Sequence, residues 1–133
     1  MSAEKVVFML VDDEVHITEI LKDGIEAFDL GEAIEFNSPT EALKFVQKNT
    51  HLRICMITDY KMPKMNGLEL IQNSNQVHSK IKYIMLSGML NEKITQQLDS
   101  EKIPYLPKPI SISKVIQTIQ TVLRGEELSL FTS

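Results

Sequence analysis

The chain has one cysteine, Cys55, no tryptophan, five prolines and five glycines in 133 residues, and no apolar run long enough to cross a bilayer. Each shortage removes a class of protein. A single thiol cannot build an internal disulfide framework, and the position of Cys55 within the apolar run 54–57 marks it as a small buried hydrophobe. The longest early apolar run, Val6 to Val11, falls far short of the roughly 20 residues a spanning helix needs. It ends in Asp12, Asp13 and Glu14 rather than in small residues, so it is not a secretory leader. Basic residues are not in excess either. The net charge of −4 argues against direct nucleic-acid binding, which calls for a clustered basic surface. A cytoplasmic protein with no membrane or nucleic-acid contact is expected. With no repeat and no low-complexity linker, and with 43% hydrophobic residues, the chain reads as one domain with a real core. That domain is expected to span residues 1–124, followed by a tail at 125–133 with no effector domain.

What is present is an alternation. Three apolar runs, VVFMLV at 6–11, ICMI at 54–57 and IKYIML at 81–86, are rich in β-branched residues and lack polar alternation, the pattern of strands covered on both faces. AIEF at 33–36 and IPYL at 103–106 are weaker strand candidates. Between them, Ile17, Leu21, Ile25 and Phe28 share a helical face, with Gly24 a mild weakness in that helix. Ser38-Pro39-Thr40-Glu41 has the residues of a capped helix start, and Asn66 can cap the helix carrying Leu68 and Ile71. Leu90, Ile94 and Leu98 form a thin fourth stripe, while Ile112, Val115, Ile116 and Ile119 form the clearest, fifth one. Five strand–helix repeats predict an α/β domain with helices on both faces of a parallel sheet. In such sheets, ligands bind beyond the carboxyl ends of the strands.

At those ends stand Asp12 and Asp13 after the first strand, Asp59 after the third, Ser87 and Gly88 after the fourth, and Lys108-Pro109 after the fifth. Singly, each has an ordinary alternative: a helix-terminal charge, a strand terminator, a turn serine, a solvated lysine. Jointly, they place three carboxylates, a hydroxyl and an amine on one rim. Three neighbouring carboxylates stay ionised only beside a cation, and an all-oxygen donor set suits Mg²⁺ (or Mn²⁺). An aspartate so neutralised can accept a phosphoryl group. Its three spread charges then call for a metal, an ammonium and a hydroxyl.

The chain resembles the receiver domains of two-component response regulators over about residues 5 to 124. Four motifs carry the resemblance in order: FMLVDDE at 8–14, TDYKMPKMNGLEL at 58–70, MLSG at 85–88 and YLPKP at 105–109. The resemblance implies a flavodoxin-like doubly wound (βα)5 sheet in strand order 2-1-3-4-5. It makes Asp59 the phosphoacceptor. Asp13 would bind the metal directly and Asp12 directly or through water, together with Asp59 and the backbone carbonyl of Lys61. Ser87 and Lys108 would contact the phosphoryl group, with Gly88 leaving space beside it, and the bond from Lys108 to Pro109 would be cis. Tyr105 would be the switch aromatic, paired with Ser87.

Lys61 and Met89 occupy positions that in this family tune the lifetime of the phosphoryl group. Met62, Met65 and Gly67 shape the loop, and His16, His51 and His78 match no active position. The implied donor is a sensor histidine kinase or a histidine phosphotransfer protein. The implied output is a surface of the fourth helix, fifth strand and fifth helix, which would bind a downstream protein or a second, phosphorylated copy. The chain would not be an enzyme beyond its own phosphorylation and dephosphorylation, whether stand-alone or cut from a larger regulator. The alternative is a pseudo-receiver that binds partners without phosphorylation. A small Asp-nucleophile phosphatase would carry a second acid where Lys61 stands, and a flavodoxin-like cofactor binder would need a phosphate loop after the first strand.

Overall fold

The computed structural model describes residues 5–132, with side chains through residue 125. In chain order its elements are β1 (Val6–Val11), α1 (Val15–Ala27), β2 (Glu32–Phe36), α2 (Pro39–Lys48) and β3 (Arg53–Asp59). Then follow α3 (Gly67–Val77), β4 (Lys82–Ser87), α4 (Glu92–Ser100), β5 (Tyr105–Pro107) and α5 (Ile112–Thr132). The five strands form one parallel sheet in the order β2-β1-β3-β4-β5, as the resemblance implied.

Alternate residues of a strand point to opposite faces, and the central strands use both faces for core. Phe8 and Leu10 of β1, with Cys55 and Ile57 of β3, pack under α1 and α5 against Leu21, Ile25, Ile116 and Ile119. Their neighbours Met9, Val11, Ile54 and Met56 pack on the other side with Ala42, Val46 and Leu70 of α2 and α3. A third cluster joins Leu68, Ile71, Met85, Leu98 and Ile103 beneath α4. Such unbroken burial explains why these strands carry no polar alternation. Phe8, with no exposed surface, illustrates the energetics: truncation to Ala would cost about 3–5 kcal/mol.

Several local expectations shift. Phe28 is not on the buried face of α1. The helix stops at Ala27, Asp29 takes a left-handed φ of 52°, and Phe28 is left 54% exposed. Gly24 proves to be a packing residue, because a Cβ there would lie 2.9 Å from the Ile112 side chain of α5. Ser38 does precede α2, with Pro39 in its first turn, but its side chain makes no cap bond; its hydroxyl meets Thr40 Oγ1 at 2.8 Å instead. Asn66, by contrast, forms a full capping box with Glu69. The backbone of α5 is helical past Gly125 to Thr132, where a tail was expected; the side chains of Leu128, Leu130 and Phe131 lie outside the described residues. No helix among the described residues is long and apolar enough to cross a membrane.

Candidate phosphoacceptor site

Strand register assembles the rim. Val11 pairs with Thr58, so Asp12 follows beside Asp59. Asp59 pairs with Leu86, which puts Ser87 one residue beyond it. Ser87 pairs with Pro107, and Lys108 comes next, its backbone N–H donating to Ser87 O at 3.0 Å. The four side chains come from four different strands, and the parallel sheet brings them together.

Lys108 is the hub. Its Nζ donates to Asp12 Oδ2 at 2.8 Å and to Asp59 Oδ2 at 3.2 Å, and lies 3.5 Å from Glu14 Oε1. Asp12 and Asp59 are 2% and 6% exposed, so their charges need this partner. Burial pushes the Asp59 carboxyl above the ordinary aspartate range, and the neighbouring Asp12 pushes it further, while Lys108 and the Tyr60 N–H pull it down. For Lys108, burial acts to weaken the ammonium, but Asp12 and Asp59 outweigh it and the net shift is upward. The other oxygen of Asp59 accepts from the Tyr60 backbone N–H at 2.8 Å. Ser87 is buried, and its Oγ accepts from the Met89 N–H at 3.1 Å. The Lys108–Pro109 peptide is cis.

A cavity of about 500 Å³ opens onto these groups, lined by Asp13, Glu14, Asp59, Lys61, Met62, Pro63, Ser87, Gly88, Met89 and Lys108. Lys61 is exposed and Met89 is 59% exposed, so both stand at its mouth. The loop beneath is tightly wound. Lys64 has φ 72°, and Met65 N–H donates to Pro63 O at 2.8 Å. Gly67 N–H donates to Tyr60 O at 2.7 Å, and a Cβ on Gly67 would be driven into the Asp59 carbonyl oxygen. Gly67 therefore lets the loop close on the acceptor. Gly88 is not under the same demand, since a Cβ there would meet only Lys108 Cβ at 3.8 Å. A larger cleft of about 630 Å³ lies at the amino-terminal end of β4, around Tyr83, Ile81 and Lys102, remote from the carboxylates.

Among the described residues, the carboxylates close enough to share one cation are Asp12, Glu14 and Asp59, with ligand oxygens within 4.8 Å of one another. Asp13, expected to face the metal directly, is exposed on the cavity wall and outside this group. Glu14 is the residue sequence reasoning passed over. Its only signal was its place at the end of an acidic run, with no periodicity to say which of three acids turns inward. Asn37 was missed as well. Its Nδ2 donates to the Asp12 carbonyl at 2.9 Å and to Thr18 Oγ1 at 3.1 Å, pinning the β1–α1 turn from the β2 side.

Tyr105 is half-buried against the cluster of Leu68, Ile71, Met85, Leu98 and Ile103, with its hydroxyl beside Asp99 and Thr95 of α4. Desolvation first, and then Asp99, raises its pKa. Of the histidines, His78 is buried with Nε2 2.7 Å from the Leu52 carbonyl, His16 is exposed beside Glu14, and His51 is exposed.

Residues 8–120 match the family described as the response regulator receiver domain. The chain belongs to that family. It is 32% identical over 120 residues to a transcriptional regulatory protein CpxR homolog of Haemophilus influenzae, covering 87% of this chain and 49% of that protein. It is 26% identical over 125 residues to a probable chemotaxis protein CheY of Rhizobium etli, covering 90% and 94% of the two chains. The crystal structure of a response regulator receiver domain protein from Clostridium thermocellum superposes with a TM-score of 0.83 at 25% identity, over 92% of this chain and 98% of that one. The receiver thus spans about half the length of the CpxR homolog and nearly all of the CheY relative, and only a tenth of a similar sensor kinase, CckA of Brucella abortus. Its place in two-component signalling follows from the family.

Proposed function

We propose that this receiver takes a phosphoryl group from the phosphohistidine of a sensor histidine kinase or phosphotransfer protein onto Asp59. One observation carries the reading. A carboxylate 6% exposed, at the floor of an open cavity, has an ammonium 3.2 Å from one oxygen and a backbone N–H on the other. A solvated strand terminator would have no use for that arrangement. In the reaction, a carboxylate oxygen of Asp59 attacks phosphorus, the P–N bond breaks, and the imidazole leaves and takes up a proton. Asp12 and Asp59, with Glu14 or Asp13 and the Lys61 carbonyl, provide the oxygen donors that suit Mg²⁺ or Mn²⁺. When bound, such an ion neutralises the carboxylates and the charge on the transferring group. Lys108 then turns to one phosphoryl oxygen and the Ser87 hydroxyl to another, supplying most of the fixed electrostatics.

Phosphorylation biases a pre-existing equilibrium by a coupling of about 1–3 kcal/mol. The responding surface is α4, β5 and α5, with Tyr105 the side chain that reports the change. A downstream protein, or a second phosphorylated copy, binds there. Lys61 and Met89 at the cavity mouth set how readily water reaches the acyl phosphate.

Incubation with Mg²⁺ and phosphoramidate or acetyl phosphate, followed by intact mass, is the test. A phosphoryl adduct on the wild type and none on Asp59→Asn is expected. No adduct with any donor would overturn the proposal in favour of a pseudo-receiver. Exchanging Lys61 and Met89 together should change the half-life of the adduct, and an unchanged half-life removes their tuning role.

A further inference from the structure

Glu14 sits at the turn from β1 into α1, where its backbone N–H donates to Asp12 Oδ1 at 3.0 Å. That bond, with Asn37 holding the Asp12 carbonyl, fixes the Glu14 backbone beside the site. Its side chain lines the cavity, half exposed, with one carboxylate oxygen 3.5 Å from Lys108 Nζ and the other 3.6 Å from His16 Nε2. Lys108 therefore has three acidic neighbours of two kinds. Asp12 and Asp59 are buried; Glu14, the third carboxylate close enough to share a cation with them, is at the mouth, where it also reaches Lys108.

We infer that Glu14 is a positioning residue that holds the Lys108 ammonium at the cavity mouth when Asp12 and Asp59 are engaged elsewhere, and that it competes with the incoming phosphoryl oxygens for that ammonium. The inference rests on the phosphoacceptor reading for its second half only. An ammonium that loses its two buried partners turns to the remaining anion within reach, and Glu14 is already there. The same carboxylate stands in the path of an anionic donor and repels it, an effect weakened by its exposure and by salt. Its negative charge also adds to the pull on any cation shared by Asp12 and Asp59. Removing the charge while keeping the shape thus acts in opposite directions on the two ligands, which a merely structural residue would not do.

The experiment compares wild type, Glu14→Gln and Glu14→Asp. Trace labelling with an amine-reactive reagent in saturating Mg²⁺, read by peptide mass, reports how free Lys108 is. Titration calorimetry reports Mg²⁺ affinity, and fluoroberyllate in saturating Mg²⁺ serves as a stable mimic of the phosphoryl group on Asp59. In Glu14→Gln, Lys108 labelling should rise about two- to fivefold, the scale of a partly exposed ion pair. Mg²⁺ affinity should fall and fluoroberyllate affinity should rise by similar factors, about two- to fivefold each. Glu14→Asp should return toward wild type in all three. Unchanged Lys108 labelling, or the two affinities moving together, overturns the inference. If labelling rises but wild type takes up neither phosphoryl group nor fluoroberyllate, the tether stands and the phosphoacceptor reading falls.

Discussion

Replacing Lys108 with methionine keeps an unbranched stem of nearly the same length and removes the ammonium that two buried carboxylates share. The Asp12 and Asp59 side chains are 2% and 8% exposed, against 15% for Lys108. Removing one partner of a buried pair costs about 3–5 kcal/mol. Here the cavity admits water and Asp59 can take up a proton, so a smaller loss of about 2–3 kcal/mol is expected, from the lower limit of that range downward. In a chain of this size that lowers Tm by about 8–12 °C. Far-UV circular dichroism melts and urea titrations in EDTA at pH 7 would measure it.

Mg²⁺ provides the second arm. A ligand that binds only the folded state, at ten times its Kd, adds about 1.4 kcal/mol. Lys108→Met should gain more from Mg²⁺ than the wild type, because the cation no longer competes with the ammonium. pH provides the third. Lys108 lowers the Asp59 pKa, so its loss raises that pKa further, and the deficit should shrink as the pH falls and Asp59 is protonated. On the alkaline side the wild-type advantage lasts until the pH passes the ordinary lysine value of 10.5, above which the raised Lys108 finally deprotonates. A variant as stable as wild type in EDTA, to within about 0.5 kcal/mol, would refute the reasoning.

Asp59→Asn should melt higher than wild type at pH 7 without metal. The folded carboxyl has a raised pKa, so ionising it costs stability as the pH rises above the ordinary aspartate value of 3.8 through the folded one; below 3.8 the gain should vanish, and a gain that persists there would contradict the assignment. Gly67→Ala should lose about 1–3 kcal/mol by forcing the loop off the Asp59 carbonyl, whereas Gly88→Ala, which meets only an ordinary contact, should stay within about 0.5 kcal/mol. Equal urea midpoints for the two would show that the close approach at Gly67 is not a constraint. Tyr83→Phe should be neutral or stabilising by about 1 kcal/mol, because the Tyr83 hydroxyl is buried without a hydrogen-bond partner. A clear loss in urea would mean that the hydroxyl is satisfied in solution.

The strands and the rim were legible because burial on both faces leaves a strong mark in composition, and because four strand ends carried chemical side chains at once. What failed to show were decisions made by a single chain direction. Which of Asp13 and Glu14 comes within reach of Asp12 and Asp59 depends on the angle at which β1 turns into α1, and an acidic run looks the same at any angle. Phe28 had the correct spacing for the buried face of α1, but the helix ends one residue before it. Ser38-Pro39-Thr40-Glu41 had the residues of a cap, yet the Ser38 hydroxyl found Thr40 first. The helix past Gly125 ran against the low helix propensity of that residue.

β5 is three residues long, at the sheet edge, and ends in a proline that has no N–H to give. β1 and β3, which deliver the carboxylates, lie inside the sheet and pair over six residues. The site is therefore built across a gradient of local stability, with its anions on the slowest-opening part of the domain and its ammonium on one of the fastest. Fraying of one short edge strand is enough to take Lys108 away from Asp59 while the rest stays folded. The free energy of that opening, measurable by amide exchange at Leu106 and Lys108, sets a ceiling on the fraction of molecules in which the ammonium is closed over the acceptor.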